Sequence, residues 1–413
     1  MTVQSTSAAI ESLLDLSRGA APDEVPTLVS RTSAAFGASA AMVYLADLQQ
    51  RSLVPLTGPD VGPGDGLVRV LDIESTVAGH TFQHGTSLVQ ADGPPDGVGP
   101  VRAWLPLSMG TERLGVLGVT LDAAPEDDVA LAALERYASV VGEIVAHLTL
   151  FGDALVRARR SSTMSLAAEI QWSLLPPLTF VGSAVTVAGG LEPAYEIAGD
   201  SLDYSVSTRT THFAVLDGMG HGIVSAQLIS LAVAAYRNAR RARRSLPDTV
   251  SHMEAAVSEV FRTESFATGV LCELDTVTGL LTWVSAGHQA PLLFRDGELE
   301  RSLEVEPLLP FGLNLDLGGG APAAVGVEQL LPGDVVVCYT DGVTDARSPD
   351  GTFFGQDRLV RHVADSARAG LPSSESVRRL VQALLEHQSG DLADDATVLQ
   401  VTWHGPTTPH RRS

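Results

Sequence analysis

The sequence predicts an α+β chain of two unequal domains joined by a helix. Short apolar runs alternate with amphipathic stretches through the first third of the chain. From Ala184 onward, strands end in Asp-Gly or Gly-Asp dipeptides and are separated by long amphipathic helices, and between the two regions apolar positions recur at helical spacing. A length of 413 residues also suits two or three units rather than one.

The first unit opens with an amphipathic helical pair from about Ala8, followed by strands at Ala41 to Leu45, Val101 to Leu107 and Leu114 to Leu121, the last two joined by a turn at Met109 to Glu112. Val129 to Leu150 carries Leu131, Leu134, Val140, Val141, Ile144, Ala146 and Leu148 at helical spacing, which predicts a helix packed back on that sheet. The periodicity continues through Phe151 and Leu155, fails across Arg157 to Ser162, and resumes at Leu166, Ile170 and Leu174 before Pro176 and Pro177. We read this as a connecting helix over 151–176, either a solvated linker or an element that forms a dimer and passes a signal.

In the second unit, Thr211 to Leu216 and Val335 to Tyr339 are largely apolar runs of strand length, as expected for strands buried on both faces, and each leads into an aspartate. Ser225 to Arg243, Val250 to Phe261 and Glu375 to His387 predict helices, and Thr397 to Trp403 predicts a closing strand. Gly405 to Ser413 is polar and is expected to be a disordered tail.

Charge and composition exclude several classes. The formal net charge is −22 and all 27 basic residues are arginine, so nonspecific nucleic-acid binding is not expected. Without lysine there is no P-loop lysine, Schiff-base lysine or kinase lysine, which points away from nucleotide-driven phosphoryl transfer. Cys272 and Cys338 each lie in an apolar run and support neither a disulfide framework nor a zinc cluster. With no signal sequence and no apolar stretch approaching the ~20 residues of a membrane span, the expectation is a cytoplasmic protein without membrane contact.

Carboxylates carry the chemistry. Hard divalent cations prefer oxygen ligands, and a two-metal site needs several carboxylates held by rigid elements around a small polar cavity. Asp217 ends a buried run and is followed by Gly218-Met219-Gly220-His221-Gly222, whose glycines allow tight turns and let a carbonyl approach an ion. Asp341 repeats the arrangement in Tyr339-Thr340-Asp341-Gly342. Asp200 follows Gly199, with Asp203 three residues on, and Asp394-Asp395-Ala396-Thr397 puts two carboxylates before a strand. One Asp-Gly alone is an ordinary β-turn; four such sites together point to a metal centre.

These segments, with Glu169-Ile170-Gln171…Leu174-Leu175-Pro176, Ser285-Ala286-Gly287-His288, Phe311-Gly312-Leu313 and Val343-Thr344-Asp345-Ala346, occur in an order that resembles the bacterial, SpoIIE/RsbU branch of the type 2C protein phosphatase superfamily. The resemblance covers roughly Ala167 to Trp403. It implies an α-β-β-α sandwich over 177–404, with two manganese or magnesium ions activating a water for attack on a phosphoserine or phosphothreonine. It further implies that Asp217 bridges both ions, Gly218 offers its carbonyl, Asp341 and Asp394 ligate one ion, and Asp200 serves the other directly or through water. Asp395 remains an alternative to Asp394 as ligand, and the candidate catalytic set is Asp200, Asp217 and Asp341.

The chain departs from the family at Ala198, Ser201 and Leu202, where a second glycine and aromatic residues are common, and at Met219, where eukaryotic relatives carry a histidine. His221 is read as a neighbour of the metals, His288 as a buried hydrogen-bonding residue, and Asp203 and Asp345 as loop or supporting carboxylates.

The order of elements over 8–150, with Val101-Arg102-Ala103-Trp104-Leu105-Pro106-Leu107 and Leu114-Gly115-Val116-Leu117-Gly118-Val119, resembles a GAF sensory domain. Such domains bind small ligands or dimerise. The domain's lack of cysteine excludes covalent bilin attachment, and His80 and His84, one helical turn apart, read as exposed helix histidines.

The combined expectation is a serine/threonine phosphatase regulated by its GAF-like domain and dimeric through that domain and the linker. A plausible substrate by family resemblance is a phosphorylated STAS-type anti-anti-sigma factor. The alternative is a catalytically weak scaffold that senses a ligand and binds a partner.

Overall fold

The computed structural model describes residues 3–58, 68–91, 100–125, 127–192, 195, 199–262, 264–313, 323–389 and 394–406. The chain divides into two compact units, Met1–Thr163 and Met164–Ser413.

The first unit contains α1 (Val3–Ser17), α2 (Val25–Ser33), β1 (Ala38–Ala46), β2 (Ser52–Pro55), β3 (Leu71–Asp72), α3 (Val77–His84), β4 (Leu88–Ala91), β5 (Val101–Met109), β6 (Glu112–Leu121), α4 (Asp128–Leu148) and α5 (Ala154–Ala158). Its sheet has the order β3-β2-β1-β6-β5-β4, with every pairing antiparallel. Strand side chains alternate between two faces, and both faces are covered. On one, Leu13, Val29, Leu134, Tyr137 and Val141 from α1, α2 and α4 pack on Val43, Leu105, Leu117 and Val119. On the other, Ala78 and Phe82 of α3 pack with Tyr44, Leu53, Trp104 and Val116. The long helix α4 begins where the Asp127 side chain accepts from the Ala130 amide at 2.8 Å. It lies close on β5 because Gly142 has no side chain: a Cβ there would meet the Ser108 carbonyl at 2.3 Å.

The second unit contains α6 (Leu166–Leu174), β7 (Thr179–Val181), β8 (Val185–Glu192), β9 (Asp200–Val206), β10 (Thr210–Gly218), α7 (Ile223–Arg241), α8 (Leu246–Phe261), β11 (Ala267–Asp275), β12 (Leu280–Ala286), β13 (Leu292–Arg295), β14 (Glu298–Ser302), β15 (Gly326–Gln329), β16 (Val335–Tyr339), α9 (Asp341–Thr344), α10 (Gly355–Arg368), α11 (Ser373–His387) and β17 (Ala396–Trp403). Two sheets form, ordered β15-β12-β11-β10-β9 and β14-β13-β16-β17-β8-β7. Between them lie Val187, Phe213, Val270, Cys272, Trp283, Val336, Cys338, Leu399 and Trp403, so both cysteines are core residues. Ile229, Val233, Met253 and Val257 of α7 and α8 cover the outer face of the first sheet, and Leu359, Val363, Leu380 and Leu384 of α10 and α11 cover that of the second. The result is four layers, α-β-β-α.

One expectation changes. The connecting helix over 151–176 is two separate helices: α5, whose Leu155 sits in the first unit's core, and α6, capped by Ser165 and packed within the second unit. The break falls at the polar stretch where the periodicity failed. Helix α10 was missed altogether. Of the expected tail, residues 407–413 lie outside the described residues, as does Ala198. Among the described residues no helix is long and apolar enough to cross a membrane.

Candidate functional site

The fold gathers the sequence's carboxylates at one end of the sandwich. Asp217 and Asp200 face one another across the β9/β10 ladder as paired residues, so two acids that are distant in sequence are neighbours by register. Asp341 opens α9 directly after β16, and Asp394 and Asp395 immediately precede β17, the strand beside it. Both sheets therefore contribute. Asp217 and Asp200 lie within strands rather than in the turns a bare Asp-Gly suggests, and Asp341 starts a short helix.

Backbone contacts fix the loops around them. The Gly218 amide donates to the Gly199 carbonyl at 2.7 Å, and the Gly218 carbonyl accepts from Ser225 Oγ of α7 at 3.0 Å. Asp395 Oδ2 accepts from the Gly199 amide, from the Asp200 amide at 3.0 Å and from Gln171 Nε2 at 3.5 Å. Gln171 Nε2 also donates to the Asp200 carbonyl at 2.7 Å. The two members of the Asp394/Asp395 pair thus differ: Asp395 is buried and bound to backbone, whereas Asp394 is exposed and its charge acts on Asp217 and Asp341.

The acids destabilise one another's charged forms. Burial, then the charges of Asp217 and Asp395, holds the Asp200 carboxyl well above the usual range. Burial and the charges of Asp341, Asp394 and Asp395 push Asp217 up to about 7. Asp395 is raised to about 6, by burial first, and Asp341 is raised by burial and by Asp394 and Asp345. Each of these groups holds its proton more tightly folded than unfolded. Their stabilising effect is therefore complete below the ordinary carboxylate pKa of about 4 and is lost as the pH rises through the folded values, near 6 for Asp395 and 7 for Asp217. In EDTA-treated protein, this contribution makes the thermal midpoint fall between pH 5 and pH 8, and saturating manganese should flatten that slope. Equal slopes with and without manganese would argue against a cation relieving this repulsion.

The donor set fits a hard divalent cation: it is all oxygen, carboxylates with the neutral Gly218 carbonyl, and the buried acceptors Asp395 Oδ1 and Gln171 Oε1 beside it have no hydrogen-bond partner among the described residues. Among the described residues, no group of three or more His, Cys, Asp or Glu is placed so that it could hold a metal ion as it stands.

Other predicted residues fall elsewhere. Asp203 is a strand residue, not a loop carboxylate, and is 2% exposed; it accepts from Arg237 at 2.7 Å and Arg240 at 2.8 Å, tying β9 to α7. Replacing it with alanine leaves two cations without their partner and is expected to cost about 2–4 kcal/mol in urea unfolding, an effect absent if the pair is merely a surface contact. His221 is exposed. His288 is buried, with Nδ1 2.8 Å from Thr268 Oγ1, and Thr268 pairs with Asp217 across β10 and β11. His80 and His84 stack on α3 with ring centroids 4.0 Å apart. Sequence reasoning missed the supporting roles of Gln171, Ser225 and Thr340; of these, only Gln171 and Thr340 fell within a quoted motif.

Residues 207–404 match the family model for stage II sporulation protein E (SpoIIE), a segment that includes Asp217, Asp341 and the Asp394/Asp395 pair and begins after Asp200. The phosphoserine phosphatase RsbU of Bacillus subtilis (strain 168) is 24% identical over 263 residues, covering 61% of this chain and 72% of that protein. Protein IcfG of Synechocystis sp. is 28% identical over 137 residues, 33% of this chain, and the match spans only 20% of IcfG. Among solved structures, the RsbU and RsbW domains of Rv1364c from Mycobacterium tuberculosis align with a TM-score of 0.46 at 24% identity, over 55% of this chain and 63% of that one. The family and sequence matches support a SpoIIE/RsbU-type phosphatase domain in the C-terminal unit, over residues 207–404.

Proposed function

We propose that the chain is a metal-dependent serine/threonine protein phosphatase. The observation that carries this reading is the meeting of Asp200 and Asp217 from one sheet with Asp341 and Asp394 from the other, within a unit that resembles RsbU. Asp217, Asp341 and Asp394 would hold manganese or magnesium with the Gly218 carbonyl, and Asp200 would serve the same site. Bound dications supply positive charge that polarises water and offsets charge on the phosphoryl oxygens. The protein's own part is to hold these oxygens rigidly: Ser225 aims the Gly218 carbonyl, and Asp395 holds the Gly199 and Asp200 amides at the start of β9.

The different environments of Asp394 and Asp395 favour Asp394 as the ligand and Asp395 as a support. Asp394→Asn is then expected to weaken manganese binding with little change in the metal-free melting temperature, while Asp395→Asn lowers that temperature. The reverse pattern, read by calorimetry and thermal melts, would exchange their roles.

The likeness to RsbU, a phosphoserine phosphatase, supports a phosphoserine substrate, and our first candidate is a phosphorylated regulatory protein of the STAS-type anti-anti-sigma kind. The N-terminal unit, a six-stranded antiparallel sheet covered by helices on both faces, is read as a GAF-like regulatory domain that also dimerises the chain. The direct test is phosphate release from phosphoserine and phosphothreonine peptides by the full chain with manganese. No release, with intact folding, would sink the enzymatic reading.

A further inference from the structure

We propose that the Thr340 hydroxyl is a positioning group that fixes the Asp200 carboxylate for divalent-cation binding, an inference that rests on the metal-dependent reading above. Asp200 begins β9 in one sheet, and Thr340 follows β16 in the other; they are 2% and 0% exposed. Thr340 Oγ1 lies 2.7 Å from Asp200 Oδ2 and 2.9 Å from the Thr397 amide nitrogen.

These two contacts set the polarity of the chain. An amide N–H can only donate, so Thr340 Oγ1 is its acceptor, and the single hydroxyl proton is left for Asp200 Oδ2. The Thr340 amide in turn donates to the Thr397 carbonyl at 3.0 Å, so the residue is anchored to β17 from both its backbone and its side chain. A β-branched side chain held this way has little χ1 freedom.

Asp200 is pinned elsewhere too. Its amide donates to Asp395 Oδ2 at 3.0 Å, and its carbonyl accepts from Gln171 Nε2 at 2.7 Å. With the main chain held on both sides, the remaining freedom is in the side-chain torsions, and the hydroxyl removes it. Hydrogen bonds to a carboxylate are among the strong ones, and this one is out of water. The bond spans the two sheets, so it also sets the separation between Asp200 and the acids that follow β16 and precede β17.

The test compares Thr340→Val, which keeps the shape and loses the donor, with Thr340→Ser, which keeps the donor. Manganese is titrated into each full-length protein by calorimetry at about 10 °C below its own melting temperature. Thr340→Val is expected to raise the dissociation constant about tenfold or more, the range seen when a group supporting a metal ligand is removed, and Thr340→Ser to stay within about threefold of the parent. Thr340→Val also strands the Thr397 amide, so its melting temperature falls in any case. A purely structural role would lower that temperature and leave the dissociation constant unchanged, which would overturn the proposal. Equal losses in T340V and T340S would overturn it as well. If T340V does not fold, Thr340→Cys, a much weaker donor, takes its place and should give an intermediate loss; parent-like binding by that variant would count against the proposal. If the parent chain itself takes up no manganese, the metal-dependent reading fails and this inference fails with it.

Discussion

Asp217→Asn is expected to lower kcat/KM for a phosphoserine substrate on the order of 10³-fold while making the metal-free protein more stable. The two effects have one cause. Asp217 stands where burial and the charges of Asp341, Asp394 and Asp395 all act against its ionised form. That arrangement is a liability without cations and the source of affinity with them, because the attraction of each carboxylate to a dication outweighs their mutual repulsion. Asparagine removes the charge and nearly keeps the shape, so repulsion falls and the folded state gains. The same change deletes the carboxylate placed between both groups of acids, and a loss of about 4 kcal/mol in transition-state stabilisation corresponds to that fall in rate. Steady-state kinetics at saturating manganese and thermal melts in EDTA separate the two. A variant that is slower and also less stable without metal would mean that Asp217 is a structural residue and that its charge is not the point.

What could be read from the sequence followed from local chemistry. An aspartate at the end of an apolar run, followed by glycine, stands out, and Asp217 and Asp341 were singled out as candidates that way. The buried strands β10 and β16 and the helices α4, α7, α8 and α11 were legible because their apolar spacing reports which faces are covered. Helix α10 escaped because its sequence, Gly-Gln-Asp-Arg-Leu-Val-Arg-His-Val-Ala-Asp-Ser-Ala-Arg, is mostly polar and buries a narrow stripe at Leu359, Val363 and Ala364. Helix α6 was taken for part of a linker because nothing local says that Gln171 reaches Asp200, 29 positions away. Thr340 is an ordinary residue in its motif until β17 brings the Thr397 amide to its hydroxyl, 57 positions on. The metal candidates were thus visible in sequence, whereas the groups that hold them depend on how the two sheets are paired. The difference between Asp394 and Asp395 belongs to the same class, since both are aspartates and only the fold buries one of them.

Gly342→Ala is expected to cost about 3 kcal/mol or more and to abolish manganese binding, an effect larger than its single methyl group suggests. The glycine after Asp341 looks like a turn residue, yet it does not need a left-handed backbone. It sits inside α9, and a Cβ there would lie 1.8 Å from the Asp395 carbonyl oxygen and 2.7 Å from its carbon. The neighbour cannot yield easily, because the chain is paired with β8 from Ala396 onward and with β16 as well from Val398. Relief must come from moving α9 away from the Asp394-Asp395 segment, which separates Asp341 from Asp394. Gly110→Ala is the matched control: Gly110 has φ +54° but no atom within 4 Å of the added Cβ, so it should lose only the roughly 1 kcal/mol of a left-handed alanine. Urea unfolding of both variants, with manganese titration of each, measures the contrast. Equal small losses would mean that the two segments can slide apart freely, and that the glycine of this Asp-Gly pair is retained for turn geometry rather than for the close approach that brings the acids together.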